Sequence, residues 1–284
     1  MRMTTAKAEP RDDSVPSSPG SPAVAALTPR LLGWEIAVVL AASVAAYAVE
    51  STISFVGVLT SPESLSAQQA NLVVPGAQSE RPWLDLAVQV FRIVNALVPV
   101  VLVVYLLHRT RESAARIGFD VRRPGFDLGY GALLAGLIGA GGLVVYLVSV
   151  NLGLTRPIAP STLHPHWWQI PVLVLQAVKN GVLEEVIVVG YLMHRFGQLG
   201  RMWGWSPRRS AIVATATSSG LRAFYHLYQG VGMFFGNLVM GVVFCWFYHR
   251  FGRVMPLVVA HAVIDIVAFV GAVYLIGALD WLPV

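Results

Sequence analysis

The chain has 284 residues, of which 56% are hydrophobic and 12% charged, with a mean hydropathy of +0.65 and a formal charge of +5. Soluble domains carry about 25% charged residues, so this composition excludes an ordinary water-soluble enzyme and fits a polytopic membrane protein. The single Cys245 lies in an apolar run, which excludes a disulfide framework and reads as a small packing residue.

In chain order, residues 1–31 come first; rich in Pro, Ser and Ala, they are expected to be a disordered cytoplasmic tail without the apolar core of a signal peptide. Seven apolar segments follow, at about 32–59, 84–108, 126–154, 168–194, 210–230, 231–249 and 254–279. Hydrocarbon offers the backbone no hydrogen bonds, so each is expected to be helical. The expected fold is an all-α transmembrane bundle of about seven spans, with N-terminal helices over 32–167 and a core over 168–279. Trp167, Trp168, Trp203, Trp205 and Trp281 sit near the segment ends, as an aromatic belt would. Gly232 and Gly236, spaced four apart, predict a close helix contact.

Basic residues alternate between loops. The tail and the 109–125, 195–209 and 250–253 loops hold fifteen Arg and Lys, against only Arg81 and Arg156 on the other side. This asymmetry places the N-terminus in the cytoplasm. The bias to Arg over Lys fits a bacterial source, hence a bacterial cell membrane.

Three bases fall inside segments: Arg92, Lys179 and Arg222, together with Glu35, Glu50, Glu184, Glu185, Asp265, His226 and His261. Glu35, Glu50 and Arg92 read as snorkelling near an interface. The others crowd the last four segments. A charge at mid-membrane costs about 2.5–3.5 kcal/mol or more, so this crowding predicts one shared wet chamber. Arg222 and His226 lie four apart on one helical face, as do His261 and Asp265. Adjacent Glu184 and Glu185 point about 100° apart, so only one is expected to face the chamber squarely. A rise of about 1.5 Å per residue places His226 well above His261, unless the fifth helix starts late, tilts or is distorted.

The order of these motifs resembles the CPBP family, the CAAX-prenyl-protease and bacteriocin-processing membrane proteins of the Ras-converting-enzyme type. The family pattern is Glu-Glu-x-x-x-Arg, then Phe-x-x-x-His, then His-x-x-x-Asn/Asp. This chain has Glu184-Glu185, then His226, then His261 and Asp265, over about residues 168–270. It departs twice: Val189 stands at the family arginine, and Arg222 at the family phenylalanine, with Phe224 two residues before His226.

The resemblance implies an intramembrane endopeptidase that hydrolyses a peptide bond with a water activated by Glu184 and shared by His226, without a cofactor. His261 and Asp265 would stabilise the oxyanion. An ionised Asp only accepts hydrogen bonds, so Asp265 is expected to orient His261, which donates alone. Glu185 belongs to the same set, Arg222 would replace the missing cation, and Asn237 is a supporting candidate. The alternative is zinc on Glu184, His226 and His261, a known hydrolase ligand set, although the His-Glu-x-x-His spacing is absent. Expected partners are a peptide or membrane-tethered protein substrate and the lipid bilayer; no nucleic-acid module is seen. Other readings are a non-catalytic scaffold or bacteriocin-immunity-like protein, or a small proton-coupled transporter.

Overall fold

The computed structural model describes residues 27–72, 81–159 and 166–275. Most of the expected tail, residues 1–26, and Trp281 lie outside the described residues. Within the described residues, each of the seven apolar segments is mainly helical. The first is a pair, α1 (Pro29–Ala41) and α2 (Val44–Leu59), and the second another, α3 (Pro82–Ala96) and α4 (Val98–Arg109). Next come α5 (Pro124–Asn151) and α6 (Gln169–Glu184), which runs through a π-helical stretch, Glu185–Tyr191, into α7 (Leu192–Met202). The last three are α8 (Pro207–Tyr225), α9 (Val231–Phe251) and α10 (Met255–Leu275).

The ends follow local chemistry. Thr28 and Ser206 cap α1 and α8 with their hydroxyls, and each of these helices begins with proline, whose missing N–H costs nothing there. The second segment breaks at Leu97 because Pro99 starts a new helix. The first bends by 51° at Ala42–Ser43, where the Ser43 hydroxyl donates to the Val39 carbonyl one turn back.

This is an all-α membrane helix bundle. Among the described residues, four helices are long and apolar enough to cross a bilayer, the joined α3–α4, α5, α9 and α10, or five if α1–α2 is one span. The α6–α7 rod and α8, which carry the buried Glu184, Glu185, Arg195 and Arg222, fall below that measure. Short α6–α10 and α8–α9 approaches bring the charged helices against apolar ones. A Cβ on Gly181 would meet the Val258 carbonyl at 2.8 Å, and one on Gly241 the Ser219 Cα at 2.8 Å. The contact expected of Gly232 is real: a Cβ there would lie 2.3 Å from that of Ser149 on α5.

The structure adds one feature to the all-helical reading. Two-residue strands, β1 (Ala70–Asn71) and β2 (Ile158–Ala159), pair in parallel and join the α2–α3 and α5–α6 loops.

Several sequence expectations change. Glu35 is buried, not snorkelling: Tyr191 donates to it at 2.9 Å and Arg195 pairs with it at 2.9 Å, because α1 packs on α7. Arg195 is therefore a buried anchor inside α7 and not a loop base, and Arg253 is likewise buried, clamped by Asp120 and Asp127 at 3.2 and 2.6 Å. Glu50 and Arg92 are exposed. Trp168 is buried against Trp83, with ring centroids 4.8 Å apart, so it is a core residue and not part of a belt. Cys245 is buried as expected, and its thiol contacts the Ser218 hydroxyl at 3.3 Å.

Candidate active site

The site forms where α6 gives way to the π-helical stretch. π-Helical turns are costly and recur at functional positions, and here the change falls between Glu184 and Glu185. Both carboxylates turn out to face the same group. Arg222 of α8 reaches Glu185 Oε1 at 2.6 Å through Nη2 and Glu184 Oε2 at 3.3 Å through Nη1. One guanidinium fork spans both, while of the two glutamates only Glu184 keeps exposed side-chain surface. Arg222 and Glu185 are fully buried, so neither charge is stable without the other.

Around this core lie residues from α6, α8 and α10. Tyr225 donates its hydroxyl to Glu184 Oε2 at 2.6 Å. His261 Nδ1 contacts Glu185 Oε1 at 2.6 Å, which turns Nε2 toward Glu184 Oε2 at 3.9 Å and Asp265 Oδ1 at 3.7 Å. His226 Nε2 lies 4.0 Å from the same Glu184 oxygen. Helix α8 ends at Tyr225, so His226 projects from a turn, and the separation in depth expected from a straight helix does not arise.

Five expected residues, Glu184, Glu185, His226, His261 and Asp265, thus meet with Arg222. Asn237 does not: its amide donates to the Met233 carbonyl one turn back in α9. The expected Asp265–His261 pair forms at 3.7 Å, and a second carboxylate joins it. Glu185, not Asp265, makes the close contact to His261, because Asp265 Oδ2 accepts the Asn180 amide at 2.7 Å. Sequence reasoning missed Tyr225 and Asn180. Asn180 precedes Glu184 by four residues on one helical face, which is a legible signal. Phe224 is 47% exposed and points away from the cluster's interior.

The cluster is not sealed. Side-chain exposure is 20% at His226, 16% at Asp265 and 12% at Glu184, so one side of it is reachable. A separate cavity of about 280 Å³ lies between the breaks of the first two segments, lined by Ser43, Tyr47, Asn95, Pro99 and Leu183, and holds none of the ionisable residues. His226 Nε2 and Glu185 Oε2 are buried atoms without a hydrogen-bond partner among the described residues. Gaps of 3.9 and 4.0 Å from two imidazoles to one carboxylate oxygen are too long for direct hydrogen bonds and suit an inserted water or substrate atom.

For a metal, the converging donors are Glu184, Glu185 and His261, whose ligand atoms lie within 4.8 Å of one another. His226 is not among them, so the ligand set expected for zinc is not the one that converges. The Arg222 guanidinium already rests on both carboxylates and would repel a second cation there.

Residues 166–267, which include every charged member of the cluster, match the family described as type II CAAX prenyl endopeptidase Rce1-like. No curated protein and no solved structure matches the chain. The motifs and the family match cover the same helices, and over residues 166–267 the chain is similar to the Rce1-like type II CAAX prenyl endopeptidases.

Proposed function

We propose that this CAAX-type membrane protease hydrolyses a peptide bond with a water held between Glu184 and His226. The observation that carries the reading is the pair of imidazole Nε2 atoms facing one Glu184 oxygen at 3.9 and 4.0 Å. Glu184 takes a proton from the water, and the resulting hydroxide attacks the carbonyl carbon. The oxyanion of the tetrahedral intermediate forms beside His261, whose Nε2 donates to it. Glu184 then passes its proton to the amine nitrogen as the C–N bond breaks. Glu185 orients His261 through its Nδ1, and Asp265, steadied by Asn180, borders its Nε2.

Arg222 does the work of the absent family arginine from another helix: it holds both carboxylates and keeps Glu184 aimed. For the same reason we place no metal in the reaction. The substrate is a peptide or protein tethered to the bilayer, and the enzyme is a multi-pass protein of the cell membrane with a cytoplasmic N-terminus.

The test uses the full chain in proteoliposomes and a quenched fluorescent peptide with and without a prenyl anchor. Glu184→Gln is expected to lower turnover about 10²–10⁴-fold with an unchanged melting temperature. Full turnover in that variant would sink the role given to Glu184, and no turnover in the unaltered chain would leave a scaffold or a transporter standing. Turnover is also expected to survive a strong zinc chelator; its loss would return the metal reading.

A further inference from the structure

Arg156 is one of two arginines on the sparsely charged side of the bundle, and its surroundings give it a use. It lies in the α5–α6 loop beside β2, half-buried. Its Nη1 donates to the Tyr228 carbonyl at 3.2 Å, and its Nη2 to the Gln69 carbonyl beside β1. Its backbone N–H donates to the Gln229 carbonyl at 2.8 Å. One residue therefore ties the paired strands to the short 3-10 turn Leu227–Gln229 that follows His226.

The rest of this strap converges on the same turn. Thr155 bridges to Gly230, and the Gly232 N–H donates to the Leu154 carbonyl at 3.2 Å. Gly230 has φ 120°, and a Cβ there would lie 2.6 Å from the Leu154 carbonyl, so the turn accepts the strap only with glycine at that position. Tyr228 donates its hydroxyl to the Asn71 carbonyl at 3.4 Å, and its N–H to the Ser51 hydroxyl at 2.7 Å. The Gln229 amide reaches His226 Nδ1 at 3.4 Å, which leaves the proton on Nε2, the atom that faces Glu184.

We propose that Arg156 is a positioning residue for hydrolysis: through the Tyr228 and Gln229 backbone it fixes the turn that aims His226 at the water beside Glu184. This rests on the reading above. His226 is the one imidazole of the site that leaves its helix, so it alone needs an outside brace. His261 sits within α10 and is already held by Glu185. An arginine fork suits the task because it bonds two carbonyls on separate segments at once.

The full chain in lipid nanodiscs provides the test, with Arg156→Ala, Arg156→Lys and Glu184→Gln. Diethyl pyrocarbonate modification of His226 and His261, followed by mass spectrometry, reads the brace without any substrate. Arg156→Ala is expected to raise the His226 rate severalfold while the His261 rate and the melting temperature hold. With the anchored quenched peptide, kcat is expected to fall about 10²-fold at unchanged KM, as for a misplaced catalytic group, and millimolar guanidinium to restore part of it. An unchanged His226 rate, or release of both imidazoles together with a lowered melting temperature, would overturn the proposal. Should Arg156→Ala not fold, Arg156→Lys keeps the charge, loses the fork and is decided by the same outcomes. Full turnover in Glu184→Gln would remove the hydrolysis reading alone, because the modification rates still judge the brace.

Discussion

Two buried arginines, Arg222 and Arg195, each bridge two carboxylates in this membrane bundle, and they differ in what surrounds them. Arg195 pairs with Glu35 at 2.9 Å and Glu112 at 3.1 Å, and it also donates to Gln198 and the Leu106 carbonyl. Glu112 has both oxygens engaged, by His194, Gln198, Thr110 and Arg195. In the Arg222 cluster, by contrast, two imidazole nitrogens face Glu184 across gaps near 4 Å, and His226 Nε2 has no hydrogen-bond partner among the described residues. The same ion chemistry thus ties helices together at Arg195, where both Glu112 oxygens are engaged, and forms the proposed reactive centre at Arg222, where gaps near 4 Å leave room for a third party.

The contrast is broken or sharpened most directly at the arginines. Removing one partner of a buried ion pair costs about 3–5 kcal/mol, because the other charge is stranded. Arg195→Met and Arg222→Met are both expected to lower stability by about that much in detergent unfolding curves. Only Arg222→Met should also abolish turnover in the fraction that remains folded; equal loss of specific activity in both would erase the distinction.

The histidines give a smaller effect. His226→Ala is expected to lower kcat about 10²-fold or more with little change in melting temperature, since His226 has no hydrogen bond to Glu184 to lose. His194→Ala should leave kcat unchanged and destabilise the chain slightly, because it removes a contact to Glu112 at 2.9 Å. A drop in kcat from His194→Ala comparable to that from His226→Ala would place both clusters in the reaction.

The smallest effect is a pH dependence confined to the Arg195 cluster. Glu112 lies in the loop after α4; burial by itself raises its pKa, but the hydrogen bond and charge of His194 and the charge of Arg195 together hold it below its ordinary value of 4.5. A carboxyl depressed in the folded state stabilises it above the unfolded value, and that contribution fades as pH falls through the folded one. Thermal melts below about pH 4.5 should therefore show a loss of stability that Glu112→Gln lacks. Identical acid profiles for the two proteins would contradict this.

Much of the site was legible because ionisable residues in apolar helices are conspicuous. Glu184, Glu185, Arg222, His226, His261 and Asp265 stand out against Val, Ile, Leu and Gly, and helical spacing already paired Arg222 with His226. Asn237 misled because a lone amide in an apolar helix is also satisfied by its own backbone one turn back. Tyr225 was hidden beside His226 as one aromatic among many, since nothing local shows that its hydroxyl meets a carboxylate forty-one residues away. Glu35 near the start of α1 looks interfacial in one dimension, and its burial depends on α7 crossing over it.

Composition and the length of the apolar runs by themselves determined that this chain is a helical membrane protein with ionisable residues crowded into its last helices, because a bilayer admits backbone only as closed hydrogen-bonded elements. The tertiary structure alone decided which partners those charges take. Arg222 joins both glutamates, Glu185 adds a closer contact to His261 than Asp265 makes, and a strap from the far loops holds the turn of His226. Each of these contacts joins segments far apart in the chain. Their geometry is set by helix crossings, the π-helical widening and close glycine approaches, which no local pattern of residues encodes.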